Sequence, residues 1–239
     1  MKILLTIAAR GGSKGVKNKN IKDLCGKALI AWTIEQALKW GKAAKVVVST
    51  DSPAIAEAAR RSCAEVPFTR PAELANDTAG KQAVLRHALM ECERIYSEKY
   101  DWLVDLDATA PLRKVSDIEN AFNEAVRQDT LTLFSVVPAH KNPYFNMVEK
   151  DPSGFARLCK PPAEPILCRQ TAPAVYDMNA SIYVYKAEYL RQAGPLPLFT
   201  PRTGMYVMDE ISGRDIDTEA DFQFVQYLMK EKIWRPDYD

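Results

Sequence analysis

Seven residues near the amino terminus, Ala9-Arg10-Gly11-Gly12-Ser13-Lys14-Gly15, combine three glycines, two cations and a hydroxyl. Glycines let successive backbone N–H groups turn inward as an anion nest, while Arg10 and Lys14 add charge and Ser13 a hydroxyl donor. Such a loop suits a polyphosphate, with Gly11 and Gly12 supplying amides; by itself it also fits a tight solvated turn. Its spacing is neither the GxxxxGK[ST] of a P-loop nor the GxGxxG of a dinucleotide-binding turn, which counts against kinases and dehydrogenases.

Near the carboxyl end, Arg214-Asp215-Ile216-Asp217-Thr218-Glu219 sets two carboxylates two residues apart. In extended backbone both project from one side. Two like charges held together favour a cation between them, and magnesium takes one or two carboxylates plus phosphate oxygens and water. The same residues also read as a helix start, with Asp217 or Thr218 as N-cap and Glu219 and Asp221 in the first turn. Both readings can hold at once. A third stretch, Leu106-Asp107-Ala108-Thr109, follows a buried strand and offers a further oxygen acceptor in Asp107, while Asp105, one residue pair earlier in the strand, reads as structural.

The surrounding pattern positions these stretches. Strand character over 2–8, 45–49, 102–106 and 130–137 alternates with helical periodicity over 29–40, 54–63 and 81–97 and after Ser116. This predicts an α/β fold, a doubly wound and mostly parallel sheet, whose ligands bind outside the carboxyl ends of the strands. The glycine loop and Asp107 both fall on that edge. Over 138–178 the periodicity fades and prolines gather, so one domain over 1–239 is expected to carry an inserted lobe there. Strands at 180–185 and 205–208 and a helix over 219–232 complete the pattern.

Composition narrows the function. With 32 basic and 31 acidic residues the formal charge is +1, so no whole-protein field points to nucleic acid or an anionic membrane. Five scattered cysteines without a CxxC pair argue against a disulfide framework or zinc and suit a reducing cytoplasm. No apolar run approaches the roughly 20 residues of a membrane span. The tryptophans lie on separate elements and read as packing residues; His87 reads as a helix residue, and His140 lies at the entrance to the lobe.

The opening Ile7-Ala8-Ala9-Arg10-Gly11-Gly12-Ser13-Lys14-Gly15, with Lys19-Asn20 and Gly26-Lys27, resembles that of the acylneuraminate cytidylyltransferases. Asp215-Ile216-Asp217-Thr218-Glu219 resembles that family's carboxyl-terminal motif, and the likeness runs nearly the whole chain. It implies a nucleotide-diphospho-sugar transferase type of Rossmann-like fold, a homodimer built through the lobe, and CTP, an acidic nine-carbon sugar and Mg2+ as partners. It also implies roles: Arg10, Ser13, Lys14 and Asn20 on the CTP phosphates, with Lys19 and Lys27 as lesser candidates; Asp215 and Asp217 on the metal; Arg70 near cytosine or ribose.

Lys81 stands where the sialic-acid branch often has serine, and Asp107 where it usually has glutamine; they are expected on nucleotide and sugar respectively. Thr109, Asn179 and Tyr183 are expected at the sugar, Arg169 on its carboxylate, and Phe199 or Arg202 from a partner subunit. The stretches Leu106-Asp107-Ala108-Thr109-Ala110-Pro111-Leu112-Arg113, Asn142-Pro143-Tyr144-Phe145-Asn146 and Tyr176-Asp177-Met178-Asn179-Ala180-Ser181-Ile182-Tyr183 look closest to the branch that activates legionaminic acid. The expected reaction is attack of the anomeric hydroxyl on the α-phosphate of CTP, with Arg10 and Lys14 steadying the pyrophosphate. A non-catalytic nucleotide sensor of the same fold is the alternative from another class.

Overall fold

The computed structural model describes residues 1–12 and 15–238; Ser13 and Lys14, both assigned to the phosphate loop, lie outside the described residues. In chain order the strands are β1 (Ile3–Ala8), β2 (Asp23–Leu24), β3 (Lys27–Ala28), β4 (Lys45–Ser49), β5 (Trp102–Leu106), β6 (Thr132–Pro138), β7 (Val148–Lys150), β8 (Ala156–Leu158), β9 (Tyr176–Lys186) and β10 (Thr203–Val207). The helices are α1 (Leu29–Trp40), α2 (Pro53–Arg61), α3 (Lys81–Tyr96), α4 (Val115–Arg127), α5 (Ala187–Leu190) and α6 (Glu219–Lys230).

Six strands form the central sheet in the order β10-β6-β9-β5-β1-β4. β4, β1 and β5 pair in parallel, as do β6 and β10, and β9 runs antiparallel between β5 and β6. Alternation along β1 explains why helices are needed on both faces: Ile3, Leu5 and Ile7 join one buried cluster and Leu4 another. The first is roofed by α1, α2 and α4, where Trp40 and Trp102 meet Phe122 edge-on at 5.5 and 5.9 Å. The second lies under α3 and α5. A third cluster joins Val16, Leu112 and Ile216 to α6, tying the loop after β1 to the carboxyl-terminal segment.

The expected strand at 180–185 is longer than its periodicity indicated. Its register against β6 shifts between Phe134 and Val136, and Ala180 adopts a φ of 54°, so β9 carries a bulge. Beyond it, Tyr176–Met178 pair with Val136–Pro138, so the residues on either side of the expected lobe continue the central sheet. The β7–β8 hairpin forms a separate two-stranded sheet within the lobe. Thr218 caps α6, its hydroxyl accepting from the Asp221 amide at 3.2 Å while Asp221 reaches back to the Thr218 amide at 2.7 Å.

Candidate active site

The loop after β1 leaves the sheet between β4 and β5. Ala9 donates its amide to the Ser49 carbonyl at 3.0 Å, which carries the chain out along β4. Beyond it, the Gly11 amide donates to Asp51 at 2.9 Å and the Arg10 guanidinium meets Asp77 at 2.6 Å. Asn20 is buried and donates to the Arg10 carbonyl at 3.1 Å, so its amide holds the loop's backbone. Gly12 is exposed, with nothing within 4 Å of where a Cβ would stand.

The far end of this loop meets the acidic segment. Lys19, on a short 3-10 turn, donates to the Ile216 carbonyl at 2.5 Å and lies 3.6 Å from the Asp217 carboxylate. Ile216 is buried in the third cluster and its amide donates to the Thr109 carbonyl at 2.9 Å. Anchored this way, the segment points Ile216 inward, with Asp217 exposed and Asp215 half-buried. Burial, and after it the neighbouring Asp217 charge, push the Asp215 carboxyl above the usual aspartate range.

Among the described residues no group of three or more His, Cys, Asp or Glu side chains could hold a metal by itself. The Asp215–Asp217 pair is therefore an open, hard-oxygen donor set, and it fits a divalent cation that completes its shell with phosphate and water.

Beyond β5 a compact charged cluster opens to the same edge. Lys81, at the start of α3, sits 3.0 Å from Asp105, 3.4 Å from Asp107 and 4.1 Å from the Tyr183 ring centroid. Asp105 is fully buried and accepts from the Thr6 hydroxyl at 2.9 Å, a structural role. One Asp107 oxygen accepts from the Thr109 amide and hydroxyl at 3.1 and 3.0 Å, which leaves the other with Lys81. Burial opposes the Lys81 charge, but Asp105 and Asp107 outweigh it and hold its pKa well above the usual lysine value. Burial likewise works against ionised Asp107, and Lys81 and Thr109 overcome it, so its carboxyl lies below the usual range. The Lys81 and Asp107 side chains remain 27% and 23% exposed, so the pair can meet a ligand. A hydroxyl seated there would accept from the ammonium and donate to the carboxylate.

The remaining expected residues have the following protein contacts. Arg70 is buried and donates through Nε to the Ser49 hydroxyl at 3.1 Å and through a terminal nitrogen to the Ser49 carbonyl, clamping the end of β4. Asn179 is also buried. Its oxygen accepts from the Ser135 hydroxyl at 2.7 Å and its nitrogen donates to the Gly213 carbonyl at 3.2 Å, so it supports the acidic segment from below. Arg169 lies exposed in the lobe, donating to the Ala139 carbonyl at 3.0 Å, and is not brought into the Lys81–Asp107 cluster. Lys27 is taken up by Glu35 at 2.5 Å, and Arg202 by Asp129. His87 packs edge-on against Phe68, and His140 stands 3.8 Å from Glu210.

Neither Asp51 nor Asp77 was expected at the phosphate loop. Asp51 follows β4 as Asp107 follows β5, so the rule that directed attention to the carboxyl edge applies to it equally. Nothing in the spacing marks Asp77 as the partner of Arg10.

Comparison with known proteins adds an independent line. Residues 4–206 match the family model described as Cytidylyltransferase. The chain is 44% identical over 230 residues to a Campylobacter coli protein named post-translational flagellin modification protein B, covering 96% of each. It is also 44% identical over 234 residues to the CMP-N,N'-diacetyllegionaminic acid synthase of Campylobacter jejuni subsp. jejuni serotype O:2, covering 98% of this chain and 97% of that one. Among solved structures, a CMP:2-keto-3-deoxy-manno-octonic acid synthetase complexed with CTP superposes with a TM-score of 0.72, covering 97% of this chain and 100% of that one. At 20% identity that likeness is one of fold, the nucleotide-diphospho-sugar transferase type.

Proposed function

The chain belongs to the cytidylyltransferase family, and from that premise we propose that it transfers CMP from CTP to the anomeric hydroxyl of N,N'-diacetyllegionaminic acid, a nine-carbon ulosonic acid, releasing pyrophosphate. It is a nucleotidyltransferase enzyme. The observation that carries the reading is the meeting of the glycine loop with the acidic pair, through Lys19 on Ile216 and Asp217. That contact supports a polyphosphate site beside a site for a divalent cation. Identity of 44% along nearly the whole length to a synthase named for legionaminic acid supports the choice of sugar.

In this reaction the anomeric oxygen bonds to the α-phosphorus as the bond to the β-phosphate oxygen breaks, and the hydroxyl proton passes to solvent. Arg10 and Lys14 would neutralise the departing pyrophosphate, with Ser13 and the Gly12 amide as further donors; Arg10 and the Gly11 amide take that part on exchanging Asp77 and Asp51 for phosphate oxygens. Asn20 fixes the Arg10 carbonyl and with it the loop. Asp215 and Asp217 would hold Mg2+, which when bound supplies positive charge to the α-phosphate and to the attacking oxygen. Lys81 and Asp107 orient a hydroxyl at the carboxyl end of β5, with Thr109 and Tyr183 framing them. Holding both reactants in place is the main contribution of such a site.

Exposed Met178, Phe199, Met205 and Val207 lie along the lobe stem and the β10 edge. They support a homodimer built on that surface, with Arg169 engaging sugar across it. No helix among the described residues is long and apolar enough to cross a membrane. All five cysteines are unbonded, which supports a reducing compartment such as the cytoplasm. Incubation with CTP, Mg2+ and N,N'-diacetyllegionaminic acid should give a product of the mass of the CMP-sugar and equimolar pyrophosphate; recovery of both substrates unchanged would refute the reading.

A further inference from the structure

Arg113 carries a charge into the interior without a carboxylate at ion-pair distance among the described residues. Its side chain is fully buried. One terminal nitrogen donates to the Ser181 carbonyl and hydroxyl at 2.6 and 3.0 Å, the other to Thr33 and Gln36 on α1 at 3.2 and 3.1 Å. Both also reach the Asp107 carbonyl at 3.4 Å, while Nε has no hydrogen-bond partner. Burying a cation against neutral acceptors is expensive, and joining α1 to the sheet does not require it, since a neutral amide could make some of these bonds.

The acceptors show what the charge is near. Asp107 and Ser181 are themselves joined, the Asp107 amide donating to the Ser181 carbonyl at 3.1 Å, so the guanidinium grips that junction from the core side. On the other side of it stand the Asp107 carboxylate, the Lys81 ammonium and the Tyr183 ring, the last two residues along β9 from Ser181. The Arg113 charge acts on the Asp107, Asp117 and Asp105 carboxylates, beside that of Lys81 on Asp105 and Asp107 and that of Arg70 on Asp105. Without Arg113 the Asp107 backbone would lose its support.

We propose that Arg113 is the positioning residue of the sugar side of the site: by holding the Asp107 and Ser181 carbonyls it fixes the Asp107 carboxylate against Lys81, and so governs sugar binding without touching the sugar. A planar fork with fixed donors can hold two carbonyls and two α1 acceptors at once, which a lysine cannot. The proposal rests on the nonulosonate cytidylyltransferase reading. The two fail separately: an unmodified enzyme inactive with every ulosonic acid would sink that reading before any variant was compared.

The test is steady-state kinetics of Arg113→Met and Arg113→Lys with each substrate varied in turn, alongside thermal melting. In Arg113→Met the KM for sugar should rise about tenfold or more while the KM for CTP stays within about twofold, with Arg113→Lys intermediate because it keeps the charge and loses the fork. A purely structural role would lower the melting temperature and leave both KM values in place, overturning the proposal; so would a change confined to CTP. If Arg113→Met does not fold, Ser181→Ala decides, because it removes only the hydroxyl that accepts from one guanidinium nitrogen and leaves the Ser181 and Asp107 carbonyls in place. A rise of about threefold or more in sugar KM alone supports the proposal, and an unchanged sugar KM overturns it.

Discussion

Gly15 and Asp217 touch backbone to backbone: a Cβ at Gly15 would stand 2.0 Å from the Asp217 carbonyl oxygen. The glycine there is required by close approach, because no side chain fits between the phosphate loop and the acidic segment. Gly15→Ala must therefore push the two apart. We expect kcat to fall about 100-fold with little loss of melting temperature, since displacements near 1 Å at a reacting centre have effects of that order. Kinetics and melting on the same preparation check this, and a fully active Gly15→Ala enzyme would mean the contact has no part in positioning.

Asp215 and Asp217 predict a linked dependence on metal and pH. On the proposed reading the ionised carboxylates bind the cation, so protons compete with it. Because the Asp215 pKa is raised, chiefly by burial and then by Asp217, metal affinity should fall with decreasing pH sooner than for an ordinary aspartate. Asp217→Asn removes the like charge and lowers that pKa, so the acid limb of the activity profile moves to lower pH while the magnesium requirement rises. Activity titrated with Mg2+ across pH measures both, and a limb that stays put in Asp217→Asn would contradict the coupling. Replacing both with asparagine should cost at least about 100-fold in kcat/KM.

Asn179 should act through the acidic segment. Its amide bridges Ser135 and the Gly213 carbonyl, and a Cβ at Gly213 would stand 2.7 Å from the Asn179 amide nitrogen and 2.3 Å from a Val137 methyl. Asn179→Ala leaves those groups unpaired and should cost about 1 to 3 kcal/mol of stability, read from denaturant unfolding. The same variant should raise the magnesium concentration needed for half-maximal rate, and an unchanged requirement would separate Asn179 from the metal carboxylates.

Glu93 gives a stability prediction away from the site. Burial alone would raise its pKa, but Arg191 at 2.5 Å, Lys99 at 2.6 Å and the Tyr100 amide outweigh it and hold the carboxyl below the usual value. A depressed folded-state pKa adds stability above the unfolded glutamate pKa, and that stability is lost as pH falls through the folded value. Glu93→Gln should cost about 2 kcal/mol near neutral pH, an effect that shrinks below the unfolded pKa. Unfolding curves at several pH values test it; a penalty independent of pH would point to packing.

Much of the scaffold was legible because β1, β4 and β5 are apolar runs closed by polar residues, and the helices between them keep a clean period. α1, β4 and β5 fall at the residues their patterns mark. Of β9 only the part beyond the bulge was legible, since its first residues pair with the end of β6, where side chains are exposed and no alternation survives. At the site, the rule that ligands sit beyond parallel strands led to Arg10, Asp107 and the loop glycines. What it could not reveal was direction. Arg70 and Asn179 lie in stretches with loop and strand chemistry suited to a ligand, yet turn inward to Ser49 and Gly213. Arg113 closes a stretch that carries the resemblance but received no role, because a buried arginine and a surface one look alike in a single sequence.

The most direct test is pyrophosphate release from CTP and Mg2+ with N,N'-diacetyllegionaminic acid, N-acetylneuraminic acid, Kdn and pseudaminic acid in parallel. A kcat/KM at least about tenfold higher for legionaminic acid, roughly 1.4 kcal/mol of transition-state discrimination, is the predicted result. Preference for another of the four would contradict the assigned sugar, and release from none of them would contradict the cytidylyl transfer itself.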